Sequence, residues 1–143
     1  MMSKASVDRA AVGVTAHAYH EFVMRQTQRK GDIAVAQAIA TFTRMGYDVA
    51  VPLTESAPYD LVVDTGDVVK RVQVRFTSSQ QVDLRRIHSN SSGYVVKRAR
   101  SGAYDWLYVL KSTGEEFLLE TCLPGRRSWN PNNRYAIRVS QEG

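Results

Sequence analysis

The stretch YDLVVDTGDVVKRVQVRF, Tyr59 to Phe76, constrains the fold more than any other part of the chain. Two apolar runs alternate with polar residues and bracket Asp64-Thr65-Gly66-Asp67, where Gly66 marks a hairpin turn. The spacing predicts one strand through Leu61 and Val63 and another from Val68 to Ser78. Three polar side chains interrupt them: Asp60, Gln73 and Arg75. Residues i and i+2 of a strand share a face, so Gln73 and Arg75 point together while Val72, Val74 and Phe76 point into the core. Asp60 comes from the facing strand. The three are expected to converge in an open cleft.

Helical periodicity dominates the residues before this hairpin. Val12, Ala16, Tyr19, Phe22 and Val23 make one apolar stripe, which predicts a helix over 7–28. Arg29-Lys30-Gly31 reads as a break, with Asp32 as the N-cap of a second helix over 33–45. Val35, Ile39 and Phe42 share its face, and Gly46 is its stop. Strands are expected at 47–53 and, after the hairpin, at 81–88, 93–98, 103–111, 115–121 and 135–139. Helices first and then mostly strands predict an α+β fold with a central mixed sheet.

Composition narrows the class. The 143 residues are enough for one domain with a core, and 43% are hydrophobic, as in an ordinary globular protein. No apolar run approaches the roughly 18 residues of a membrane helix, and the first ten residues lack an apolar signal core. Cys122 is alone, which excludes an internal disulfide and a cysteine zinc cluster; a small hydrophobe is its expected role. A cytoplasmic setting is expected. The net charge of +5 is unevenly placed. Residues 1–69 hold six Lys/Arg against eight Asp/Glu, a net of −2; residues 70–143 hold thirteen against six, a net of +7. A basic half suggests a polyanion partner.

The hairpin trio supports two readings. A carboxylate and an amide oxygen are hard ligands suited to Mg²⁺, and a nearby cation can hold a phosphate or developing charge. Alternatively Asp60 and Arg75 form a cross-strand salt bridge, with Gln73 completing a hydrogen-bond network.

The string KGDIAVAQAIATFTRMGYDVAVPLTESAPYDLVVDTGDVVKRVQVRF, residues 30–76, resembles the PD-(D/E)xK nuclease superfamily. It is most similar to the small bacterial and intron-encoded homing-endonuclease branch, which runs Lys-Gly-Asp, a helix, Gly-Tyr-x-Val-x-x-Pro, Tyr-Asp-Leu and Gln-Val-Lys. Residues 104–121 resemble the later strands more loosely. The resemblance implies a restriction-endonuclease-like sheet flanked by helices over 30–143, with residues 1–29 as an added N-terminal helix. It also implies Mg²⁺-dependent hydrolysis of a DNA phosphodiester, with Mn²⁺ as a substitute. Carried over by position, Asp60 and Gln73 are the implied metal ligands, and Arg75 stands where the family has lysine. Val35 stands where the family has a helix glutamate. A guanidinium does not readily release a proton, so Arg75 is suited to positioning phosphate or water. Either a remodelled nuclease or a catalytically inactive DNA-binding or regulatory module follows. Asp32, one turn before Val35, is an alternative acid to its capping role, and Asp64 is expected in solvent near the turn.

Other features distribute around this centre. Arg85-Arg86, Lys97-Arg98-x-Arg100, Arg126-Arg127 and Arg134 flank Gly, Ser, Asn and Pro and are the candidate DNA contacts. Trp129 either wedges into a ligand or covers a strand edge. His17, His20 and Glu21 have metal-ligand spacing but equally suit an exposed helix face. Tyr104, Trp106 and Tyr108 alternate as core residues of a central strand, or less simply as a base-stacking platform. The apolar first helix is expected to pack on the domain or on a second copy, giving a homodimer or higher oligomer. A purely protein-binding domain, without nucleic-acid affinity, is the remaining class.

Overall fold

A computed structural model describes residues 15–90 and 93–138; for residues 24, 86–90 and 93–96 it describes the backbone alone. The chain divides into two compact units, residues 1–30 and 31–143.

Helix α1 spans Ala16–Arg44 without interruption. Thr15 is its N-cap: the hydroxyl accepts from Ala18 N at 3.1 Å. The expected break at Arg29-Lys30-Gly31 is therefore absent, and Asp32 lies inside the helix, exposed, rather than capping one. A mid-helix glycine costs only about 1 kcal/mol, which continuous backbone bonding on both sides outweighs. In residues 16–30, Tyr19 and Val23 are exposed at 59% and 42%; Val12 lies outside the described residues.

The stop at Gly46 holds. Its φ is +85°, a region that suits glycine. Tyr47 N donates to Phe42 O at 3.1 Å and Gly46 N to Thr43 O at 3.0 Å, the paired bonds of a Schellman motif. The rings of Phe42 and Tyr47 stack at 6.4 Å, adding the hydrophobic contact that accompanies such a cap.

The sheet contains β1 (Asp48–Ala50), β2 (Leu61–Asp64), β3 (Val69–Thr77), β7 (Trp106–Lys111) and β8 (Glu116–Leu119), in the order β1-β2-β3-β7-β8. β3 and β7 are parallel and the other neighbours antiparallel, so the sheet is mixed. The expected hairpin joins β2 to β3. Asp64 is exposed near the turn, as expected, and accepts Gly66 N there at 2.8 Å.

Each sheet face has its own core. On one, Ala34, Ala38 and Phe42 of α1 pack on Leu61, Val63, Val72, Val74, Trp106 and Tyr108. Two alanines four residues apart let the helix approach closely. Val35 and Ile39, expected to share a face with Phe42, pack half-buried against the same core. A polar network runs through the same layer: Gln37 donates to Thr41, and Thr41 and Tyr108 both donate to Oε1 of Glu116, the phenol at 2.6 Å. Burial, then this bonded carboxylate, drives the Tyr108 phenol far above its ordinary pKa. Trp106 and Tyr108 are thus core residues, as the alternation indicated.

The second core joins Leu107, Val109, Phe117 and Leu119 with Val82, Leu84, Tyr104 and Trp129. The strand expected over 81–88 is two: β4 (Val82–Asp83), which pairs with β9 (Ser128–Trp129), and β5 (Arg86–Asn90), which pairs with β6 (Gly93–Lys97). Residues 135–138 are not a strand; a 3-10 turn covers Asn133–Tyr135 and Ala136 makes one isolated bridge to Phe117. Trp129 is buried, edge-on to Tyr135 at 5.5 Å, which removes it as a wedge for a ligand. Cys122 is half-buried at the border of this core, its thiol 3.6 Å from Arg100 O.

Candidate active site

Alternation along β3 sends Val72 and Val74 to the helix-side core and Arg71, Gln73 and Arg75 to the opposite face. There Gln73 lies opposite Leu107 and Arg75 opposite Val109 of β7. Asp60 stands one residue before β2 rather than within it. Its backbone N–H still donates to Val72 O at 2.9 Å. One carboxylate oxygen, Oδ2, then accepts Val74 N at 2.8 Å and Gln73 Nε2 at 2.7 Å. The side chain continues the β2–β3 ladder beyond the end of β2, standing where a main-chain carbonyl would otherwise be. Two donors on one oxygen, one of them a β3 backbone N–H, fix the acid in place.

A cavity of about 430 Å³ opens over this face of β3. Gln73 is at its buried floor, and Arg71, Arg75, Lys97, Arg98 and Arg100 supply charge around it. Asp60 is not among the cavity-lining residues; it reaches the site through Gln73. The expected convergence of three side chains in one cleft is therefore corrected to two lining residues and one acid bonded behind them. Asp60 bonds Gln73 rather than waiting for Arg75, whose Nη1 donates to Val74 O at 3.4 Å.

Backbone bonds gather basic segments that are distant in sequence. Gly125 N donates to Ala99 O at 2.9 Å, and Arg98 Nη1 reaches Gly125 O at 3.5 Å. Leu84 N donates to Arg127 O at 2.9 Å. Residues 97–100 line the cavity, and these bonds bring the backbone of 125–127 beside residues 99 and 84. Arg126 and Arg127 are exposed there. Arg85 is held by Asp83, with Nε and Nη2 at 3.0 and 2.7 Å from its two oxygens, and its guanidinium holds that carboxyl below the usual carboxylate range. Arg134 is exposed with its guanidinium 5.7 Å from the Tyr135 ring centre. The side chains of Arg86 and His88 lie outside the described residues.

Sequence reading missed Arg71. Its Nε and Nη2 bond the two carboxylate oxygens of Asp105 at 3.2 and 3.3 Å, and its guanidinium carbon lies 5.8 Å from the Tyr59 ring centre. The bonded guanidinium holds the Asp105 carboxyl below its usual range. The signal was the alternation already applied to Gln73 and Arg75, carried one step further back.

Among the described residues, no three or more His, Cys, Asp or Glu side chains form a group able to hold a metal ion. His17 instead meets Glu21 at 3.2 Å on an exposed surface. Asp60 and Gln73 still suit a hard divalent ion. Oδ2 of Asp60 is filled by its two donors, leaving Oδ1, and the Gln73 amide turns its nitrogen to Asp60, leaving its own oxygen. One carboxylate and one amide fit an ion such as Mg²⁺, which takes its other ligands from water and phosphate.

An α+β mixed sheet with a half-buried acid bonded to a buried amide under a cationic cavity defines a protein of the restriction-endonuclease-like class. Residues 25–121 match the family model described as PD-(D/E)XK endonuclease, and the chain belongs to that family. Its function is accordingly nuclease-like and DNA-binding, and nucleases of the family typically use divalent metals. The fold is similar to the solved structure of a bacterial homing endonuclease, I-Ssp6803I, with a TM-score of 0.61, 24% sequence identity and 82% of each chain covered. No curated protein matches the chain. Among the described residues, no helix is long and apolar enough to cross a membrane.

Proposed function

We propose that the protein is a metal-dependent DNA endonuclease whose reacting phosphodiester sits over Gln73. The observation that carries this reading is the 2.7 Å bond from Gln73 to Asp60 beneath a cavity rimmed by arginine and lysine. Asp60 and Gln73 would hold Mg²⁺, or Mn²⁺ in its place. The ion would supply Lewis-acid polarisation of the phosphate and a more acidic water. Arg75 orients the phosphate and its attacking water and balances charge that builds on the phosphoryl oxygens. Lys97, Arg98, Arg100, Arg126 and Arg127 hold the flanking backbone, while Arg85, already paired with Asp83, contributes less. Arg86 and Arg134 are further candidate contacts from the basic segments. Residues 1–29 are proposed as an extension to a nuclease-like domain over 30–143. The exposed Tyr19 and Val23 suit a homodimer, which would present two sites to the two DNA strands.

A second reading, an inactive DNA-binding or regulatory module, is favoured by Val35 and Arg75, which stand where the family resemblance expects a glutamate and a lysine. Val35 packs half-buried against the helix-side core with no ligand atom to offer, and a guanidinium does not readily release a proton.

Plasmid cleavage in Mg²⁺ and in Mn²⁺ separates the two, with wild type compared against Asp60→Asn. Metal-dependent nicking that the substitution abolishes supports the enzyme. Tight, salt-sensitive DNA binding with no cutting at high protein concentration supports the inactive module.

A further inference from the structure

Resting on the DNA reading above, we infer that Arg71 is a second phosphate-binding residue, so that β3 grips one DNA strand on both sides of the phosphodiester over Gln73. Arg71, Gln73 and Arg75 occupy alternate positions of one strand and all line the same cavity. At the ordinary strand rise the outer two lie about 13 Å apart, with Gln73 midway. A cation on each side of the amide suits a polyanion lying along β3 better than a single small anion above it.

The local bonding orients Arg71 for this task. Asp105 takes the Nε and Nη2 edge of the guanidinium at 3.2 and 3.3 Å, and the same carboxylate accepts Arg71 N at 2.8 Å. Asp105 N returns a bond to Arg71 O, also at 2.8 Å. A guanidinium carries five N–H donors in a rigid fork. Holding one edge leaves the two Nη1 donors and one on Nη2 for an anion in the cavity, with the plane already fixed. The Arg71 side chain is 39% exposed, so phosphate can reach it. Asp105 is thus a positioning residue, acting through Arg71. Because Asp105 offsets much of the charge of Arg71, the fork geometry matters more here than charge alone.

The test uses a fluorescently labelled DNA duplex and the full chain, reading Kd by anisotropy across a salt series, with circular dichroism to establish that each variant is folded. Arg71→Lys, which keeps the charge and loses the fork, is expected to weaken binding about tenfold at moderate salt. Arg71→Ala is expected to weaken it further, and to lower the slope of log K against log salt by less than one because Asp105 already offsets part of that charge. Asp105→Asn, which removes the clamp on Arg71 and also its offsetting charge, is expected to weaken binding several-fold without lowering that slope. Folded Arg71→Lys and Arg71→Ala proteins that bind like wild type overturn the inference and leave the DNA reading standing. If Arg71→Ala does not fold, Arg71→Lys decides alone. Wild type with no salt-dependent binding overturns the DNA reading and this inference with it.

Discussion

The amide nitrogen of Gln73 donates to Oδ2 of Asp60 at 2.7 Å, linking the middle of β3 to an acid that stands just outside β2. The pair is polar, half-shielded and fixed by the backbone bond from Val74 to the same oxygen. Replacing the amide by a second carboxylate tests what the place is for. Gln73→Glu sets two acids side by side, and like charges at that distance cost about 1–3 kcal/mol unless one takes a proton or a cation joins them. Thermal melting at neutral pH should show a lower Tm in chelator and a recovery in millimolar Mg²⁺ or Mn²⁺, larger than any metal shift of wild type. Equal melting with and without metal counts against a metal at this position.

Two glycines should respond in opposite directions to alanine. Gly31 is exposed inside α1 and an added Cβ meets nothing within 4 Å, so Gly31→Ala should stabilise by about 0.5–1 kcal/mol. Gly46 has φ +85°, which a Cβ resists whatever the space, so Gly46→Ala should destabilise by about 1 kcal/mol. Urea denaturation of the two variants checks the sign of each.

Alkaline stability should depend on Tyr108. Its phenol is buried and bonded to Glu116, and its folded pKa lies above the unfolded one. A raised folded pKa means that this stabilisation is complete below the unfolded pKa, near 10, and declines as pH rises past it. Above that point the phenol alone should remove about 1.4 kcal/mol per pH unit, and Tyr108→Phe should flatten the fall by that amount. At neutral pH the same substitution should cost about 1–2 kcal/mol for the lost bond. Denaturation at a series of pH values measures both effects.

DNA affinity should fall steeply with salt, and individual cations should be separable by their slopes. Arg98→Ala and Arg127→Ala should each lower the slope of log K against log salt by about one. Arg85→Ala should change it less, because Asp83 already pairs with that guanidinium. Anisotropy titrations from low to moderate salt provide the comparison.

Local signals in the chain were readable where the physics was local. Gly46 ends a helix and Gly66 turns a hairpin because both need positive φ, and the period-2 pattern of Leu61, Val63, Val72 and Val74 marks one buried face. The break at residues 29–31 misled because one glycine is a weak signal against a long run of helical bonds. Trp129 was ambiguous for a different reason. Its burial depends on pairing between β4 and β9, strands far apart in sequence, with Val82 opposite Trp129. Within the site, Gln73 and Arg75 could be assigned to one face from alternation alone. Asp60's place behind the cavity could not, because it follows from the carboxylate accepting Val74 N in continuation of the ladder.

The parallel pairing of β3 with β7 has a consequence for how such a protein diversifies. Two strands running the same way oblige the chain to travel back between them, and here that return carries β4 to β6 and the basic residues 97–100. Ring closure grows harder only logarithmically with length, so the return can be extended, trimmed or rewritten at small thermodynamic cost. The cavity-lining residues 97–100 are thereby free to change while Asp60 and Gln73, fastened to the sheet, keep their mutual geometry.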